Sequence, residues 1–418
     1  GKSALSVIGI PILCVVAVVL FNLMRSPIRL PPAEASLTDI HNKGLASSFK
    51  TEKLHVCETS MYSYQHRDSS FTKSFHLLKY DEVKATSMMA LLHVGGTRFA
   101  DREMHKLLLG YWIIVAFVAI AIVFEWDISV GIDLSTDEHI QYFMSIRDDI
   151  SMVVSFILGT FVSMVVGRWW DVRNGCVGAL WGAMDDLCLI LGFHMPSVDD
   201  RPAKETVLRL CLLSFRLCYN QLQGKEKPED LQVHVDAGLM TSEELEAIKD
   251  LDSKPQCVWA WIGAFLHSLA DQNKIKYKEV MMPQLDALVA KGRGAIGGLF
   301  SYTDTQIPYP YVHLLTSMVI LTNFVIAVKG GLVIGRSLDD DNGEPFDSMR
   351  VLTEIFHVTL VPFFYHSFVK LGCELSNPVG KDFFDLPGYA YFIFMRNENM
   401  AFFRAAERTP KSLLQSRA

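Results

Sequence analysis

Ser155-Phe156-Ile157-Leu158-Gly159-Thr160-Phe161-Val162-Ser163-Met164-Val165-Val166-Gly167-Arg168-Trp169-Trp170 is an apolar run that stops on a cation and two indoles. Aromatics belong at the headgroups of a bilayer and the cation beyond them, so this ending marks a membrane helix with an interfacial anchor. Met152, Phe156 and Thr160 recur at i, i+4 and i+8 and therefore share one helical face. On spacing alone such a stripe serves either helix packing or pore lining, and both readings stand at this point.

Working outward, four more stretches are apolar enough to cross about 30 Å of hydrocarbon, which takes about 20 helical residues. The five spans run over 4–24, 107–126, 150–166, 311–333 and 351–371. Glu354, His357 and His366 interrupt the last one, and polar groups at that depth must face protein or water. The whole chain of 418 residues agrees: half is apolar, 20% is charged and the mean hydropathy is +0.23. That balance excludes disorder, and 39 basic residues against 46 acidic ones exclude a general nucleic-acid binder.

Flanking charge sets the sidedness. Arg25 and Arg29 put the end of the first span in the cytosol, and Arg168 and Arg173 do the same for the third. The acidic connections at Asp127–Glu138 and Asp339–Glu344 fall outside, and Lys370 and Lys381 return the C-terminus to the cytosol. Residues 170–305 form the large cytosolic block. Leu208, Cys211, Leu212 and Phe215, and likewise Leu285, Leu288, Val289 and Ile296, recur there at helical spacing. Thr241 with Glu244 three residues on reads as a capped helix start. Strand patterning is weak, and residues 26–85 read as a linker.

Several motifs fail. The eight cysteines never form a C-x-x-C pair, and six of them sit in apolar or helix-like surroundings that read as buried free thiols rather than a disulfide framework or zinc site. Gly1-Lys2-Ser3 lacks the glycine that opens a phosphate loop. In the acidic turn, Gly343 at the turn position of an EF-hand would make Leu338 the first ligand, with no glutamate at the twelfth position. There is no H-E-x-x-H and no G-x-S-x-G, so the sequence offers no catalytic constellation and reads as a non-enzyme.

The segment 155–170 resembles the second membrane helix of the bestrophin family, the pentameric calcium-activated anion channels. Met104-His105-Lys106-Leu107-Leu108-Leu109-Gly110 is similar to the entry into the family's first helix, and Ala237-Gly238-Leu239-Met240-Thr241 to a cytosolic A-G-x-M-T element. Leu299-Phe300-Ser301-Tyr302 through Ile307-Pro308 and Tyr311 resembles the approach to the third helix. Val333-Ile334-Gly335-Arg336 resembles its end, and Asn377-Pro378-Val379-Gly380-Lys381-Asp382 resembles the family's calcium loop. The matches keep the family's order over about residues 85–400.

The resemblance implies an all-α integral membrane protein, a homopentamer in the lipid bilayer that passes chloride and similar monovalent anions. The channel core would cover 86–400, with four core membrane helices and the cytosolic helical region, and 401–418 would be a tail. Met152, Phe156 and Thr160 would form the apolar neck, where Thr160 puts a small polar group in a place the family usually fills with an aromatic. Val280 would form a cytosolic aperture; Arg293 falls where the family carries an arginine and is read as structural. For Ca²⁺, resemblance assigns side-chain oxygens to Asp382 and Asp385 and backbone carbonyls to Glu374, Asn377 and a residue near Thr86. Ca²⁺ takes six to eight oxygens, and the Asn377–Gly380 turn with two carboxylates at i, i+3 suits it. Lys381, Phe383 and Phe384 dilute the run of acids found in the family.

Residues 1–25, with Pro11 inside the span, have no counterpart in that core. The chain starts without Met, which reads as a processed protein or a segment of a longer one. An extra helix there fits either a signal anchor or the last helix of an upstream membrane domain, as in algal rhodopsin–bestrophin fusions. Retinal would enter only with such a domain, and Lys2, at the edge of its span, is poorly placed for a Schiff base. The expected location is the plasma membrane. The alternative reading is a non-conducting, calcium-responsive scaffold or regulator, which the changed neck residue Thr160 keeps open.

Overall fold

In the computed structural model the described residues are 54–58, 62–67, 76–80, 101–124, 137–338, 347–379, 385–410 and 412. The span at 4–24, Lys2, Pro11, the acidic connections around Asp127–Asp133 and Asp339–Glu344, Lys381, Thr86 and Asp382 lie outside them. Within the stretch read as a linker, three short strands pair in antiparallel order: β1 (Leu54–Glu58), β2 (Tyr62–Arg67) and β3 (His76–Tyr80). The register sets Val56 opposite Gln65 and Tyr64 opposite Leu78. Every other described element is helical.

The chain divides into two compact units. The first holds α1 (Arg102–Val123), the body of α2 (Asp137–Trp170), α9 (Tyr309–Leu338) and α10 (Ser348–Leu375). Among the described residues three helical stretches are long and apolar enough to cross a membrane: 102–123, 147–194 and 309–338. The fifth span expected from the sequence lies in α10. That helix has the length, but its mean hydropathy falls short because Glu354, His357, His366 and Lys370 interrupt it. Glu354 and His366 are buried in protein, as their cost in hydrocarbon requires.

Small residues bring the membrane helices of this unit together, since van der Waals contact must replace a hydrophobic drive that lipid does not supply. Gly331 and Gly335, one turn apart on α9, face α1. A Cβ at Gly331 would lie 2.6 Å from Val118 Cβ, and one at Gly335 would lie 2.9 Å from Ile122 Cβ. Tyr111, Val115 and Ala119 of α1 pack there with Ile326, Ala327 and Ile334 of α9 and with Val351, Ile355 and Val358 of α10. Gly372 of α10 receives the ring of Phe161 from α2. Asp101 caps α1, accepting from the Glu103 amide at 3.0 Å, and also pairs with Lys370.

The second unit begins where α2 runs through a π-helical turn (Asp171–Val177) into α3 (Gly178–His194). It continues through α4 (Arg201–Leu222), α5 (Pro228–Asp236), α6 (Ser242–Ile248), α7 (Lys254–Asp271) and α8 (Lys278–Asp304), and ends with α11 (Gly388–Glu407). The helical periods read from the sequence hold: Leu208, Cys211, Leu212, Phe215, Leu285 and Ile296 are buried in one core. Thr241 and Glu244 cap α6 reciprocally, at 3.1 and 2.8 Å. Trp259 fills the space above Gly292, where a Cβ would come within 2.3 Å of its ring. Cys176, Cys188, Cys211 and Cys218 are buried free thiols, Cys257 is half-buried and Cys373 is exposed. Helix α11 runs past residue 400 to Glu407, which pairs with the fully buried Lys204 and with Arg201 of α4.

Arg168 departs from the simple anchor read from the sequence. Its guanidinium donates to the carbonyls of Tyr302 and Thr305 and so satisfies the open C-terminal end of α8. Trp170 remains exposed, while Trp169 packs on the core of the second unit.

Candidate channel site

Helix α2 has two faces. Val154, Leu158, Phe161 and Val165 are buried in the first unit, whereas Met152 is 70% exposed and Phe156 75% exposed on the opposite side. Thr160 is exposed on the same side, and its hydroxyl donates back to the Phe156 carbonyl at 3.0 Å. That bond ties the hydroxyl to its own helix and leaves only lone pairs outward. Phe156, Ile157 and Thr160 line an apolar hollow of about 210 Å³ with Tyr311, Leu314 and Leu315 of α9. Ser155 bonds the Tyr365 hydroxyl at 2.8 Å, which steadies α2 against α10.

Val280 lies in the first turn of α8 in the second unit and is 64% exposed. Its amide bonds the carbonyl of Tyr277, whose φ of +57° lets the chain turn sharply into the helix. Arg293 is exposed on the same helix.

The loop assigned to calcium has described sides and an undescribed centre. Asn377 Oδ1 accepts from the Val379 amide at 3.4 Å, and the Leu386 amide donates to the Pro378 carbonyl at 2.8 Å. This second bond closes the base of the loop between Pro378 and Leu386. Glu374 is half-buried near the end of α10. Among the described residues no three Asp, Glu, His or Cys side chains gather closely enough to hold a metal ion. The donors at the base, a turn amide and a carboxylate, are hard oxygens and suit Ca²⁺ rather than a thiolate- or imidazole-seeking metal.

The membrane unit also contains polar groups that motif reading passes over. Lys329 of α9 and Glu354 of α10 form a buried ion pair, and the second Glu354 oxygen has no hydrogen-bond partner. Tyr111 Oη lies 2.9 Å from His366 Nε2. Asn323 is wholly buried on α9. A lysine inside an apolar span was the signal available for the first of these.

Electrostatics in the second unit is set by burial and by arginine forks. Burial pushes the His234 imidazole down to about 3, with Arg216 adding to the effect, and Asn220 contacts its Nε2 at 2.8 Å. Burial pushes the Glu244 carboxyl up, but the Arg209 fork, at 2.6 and 2.8 Å, and the Thr241 cap hold it below its ordinary value.

Comparison with known proteins assigns this architecture. The family model described as "Bestrophin, RFP-TM, chloride channel" matches residues 102–389. Human Bestrophin-2a is 29% identical over 238 residues, which is 55% of this chain and 44% of that protein. Bestrophin homolog 22 of Caenorhabditis elegans is 24% identical over 286 residues, covering 66% and 54%. The chain thus spans about half the length of the curated relatives it matches. A point mutant of a bacterial bestrophin homolog from Klebsiella pneumoniae superposes with a TM-score of 0.58 at 17% identity, covering 72% of this chain and 99% of that one. A crystal structure titled only as a membrane protein gives 0.59 at 17%, with the same coverages.

The apolar helices and the match to a family described as a chloride channel define an integral membrane protein. The chain belongs to the bestrophin family.

Proposed function

We propose that the chain is one subunit of a homopentameric chloride channel opened by calcium on its cytosolic side. The observation that carries this reading is the uncovered stripe on α2. Met152 and Phe156 stand out on a membrane helix whose other face is packed, in a chain of a family described as a chloride channel. Five such stripes around an axis form an apolar neck that excludes water when narrow. Thr160 widens its inner end, because a short side chain replaces a ring. Val280 forms the cytosolic aperture, and an anion in the neck is stabilised by helix N-terminal dipoles and amides rather than by fixed cations.

Asp382 and Asp385 would hold Ca²⁺ with the carbonyls of Glu374 and Asn377 and of the segment near Thr86. Bound there, the ion supplies the positive charge that draws those oxygens together. The Pro378–Leu386 bond supports the assignment, since it holds the base of the loop ready before any ion arrives. In a longer protein carrying an upstream rhodopsin domain with retinal, light would act on the same neck.

Chloride flux into proteoliposomes, with Ca²⁺ supplied on either face, tests the proposal. Chloride-selective flux that requires Ca²⁺ supports it. Pentamers that insert and pass no anion favour the calcium-responsive scaffold, the reading that the altered neck at Thr160 keeps in play.

A further inference from the structure

Asn399 of α11 is wholly buried, and its amide nitrogen is fully used. Nδ2 donates to Asp185 Oδ1 of α3 at 2.7 Å and to the Met395 carbonyl at 2.8 Å. Its Oδ1 is equally buried and has no partner. A bare amide oxygen beside a carboxylate is costly, because a carboxylate only accepts and brings no proton to it. The same carboxyl in its acid form carries the missing donor. Its O–H would meet Asn399 Oδ1 while its other oxygen keeps the Nδ2 bond, closing an acid–amide ring.

The surrounding charges favour that proton. Glu398 of α11 takes the Trp181 indole N–H at 3.0 Å, and Asp186 of α3 is paired with Lys291 of α8 at 3.2 Å. On the inner side lie the buried thiols Cys188 of α3 and Cys211 of α4, while Arg173 of the π turn stacks 4.8 Å over Tyr391 of α11. Burial first, opposed by hydrogen bonds from Asn399 and Trp181 and reinforced by Glu398 and Asp186, pushes the Asp185 carboxyl up to about 6.

We propose that Asp185 and Asn399 form a proton-binding site, which clasps α11 onto α3 when Asp185 takes a proton from mildly acidic solution. The ligand is the proton itself; no three metal-binding side chains gather among the described residues. Helix α11 starts at Gly388, shortly after Asp385, so the clasp fixes the element that carries one side of the loop. That last link rests on the calcium reading above, whereas the proton site does not.

Hydrogen–deuterium exchange of α11 on the purified full chain, corrected for intrinsic rates, tests the site. If Asp185 titrates near 6 closed and near 4 when α11 opens, protection rises about tenfold from pH 7.5 to 5. Asp185→Asn supplies the missing donor at every pH, since its amide pairs with Asn399 as the acid does. It should show the acid-level protection already at pH 7.5, with no rise on acidification. Wild-type protection that is flat over this range overturns the proposal. So does an Asp185→Asn variant that exchanges like the wild type at pH 7.5. Infrared difference spectra give a second readout: a protonated-carboxyl C=O band that titrates near pH 6 and is absent from Asp185→Asn supports the site. No such band in the wild type overturns it. Both readouts are independent of conduction, so a failed calcium experiment leaves this one standing.

Discussion

Lys329 and Glu354 meet as a buried ion pair between α9 and α10, inside helices that otherwise pack through aliphatic side chains and glycines. Removing either partner strands the other charge. Lys329→Met should therefore lower thermal stability in detergent by about 3–5 kcal/mol, and Lys329→Met/Glu354→Met should recover most of the loss. Equal losses in the single and double variants would mean that the pair does not hold these helices.

Gly331 and Gly294 separate packing from propensity. Gly331→Ala drives a methyl into Val118 and the Val115 carbonyl and should cost about 1–3 kcal/mol. Gly294→Ala meets nothing within 4 Å on a helix and should stabilise by about 0.5–1 kcal/mol. Thermal melting of the two variants reads the opposite signs directly.

His234 gives a pH dependence with a defined sign. Its folded pKa of about 3 lies below the unfolded value of about 6.5, so the unfolded chain binds more protons between them. Stability from this group is complete above about 6.5 and is lost as pH falls toward 3. Asp185 works in the opposite direction, so the slope is measured in an Asp185→Asn background. The midpoint should fall on acidification there and stay flatter with His234→Leu added.

Thr160→Phe tests the neck. A ring at that position restores bulk at the narrow end, so single-channel conductance should fall several-fold and any calcium-independent leak should disappear. Conductance unchanged by this substitution would remove Thr160 from the pore.

Some of this was legible in the chain itself. Helical periods such as Leu208–Phe215, the Thr241–Glu244 cap and the two faces of α2 depend on local spacing, which sequence displays. Buried partners far apart in the chain do not announce themselves: Asp185 with Asn399 and Lys204 with Glu407 each join residues that look like ordinary surface polar groups. The strands at 54–80 escaped because their alternation is interrupted by polar residues on both faces, as in Tyr62-Ser63-Tyr64-Gln65-His66-Arg67. Arg168 looked like an anchor because nothing local shows that the carbonyls of Tyr302 and Thr305 would lie beside it.

The most direct test is macroscopic current from the purified protein in a planar bilayer, under a chloride gradient, with Ca²⁺ stepped on one face. The account predicts a reversal potential that follows chloride, opening on Ca²⁺ addition, and loss of that opening in Asp382→Ala/Asp385→Ala with the assembly intact. Chloride current indifferent to Ca²⁺ would contradict the calcium loop, and no current from intact pentamers would contradict the channel.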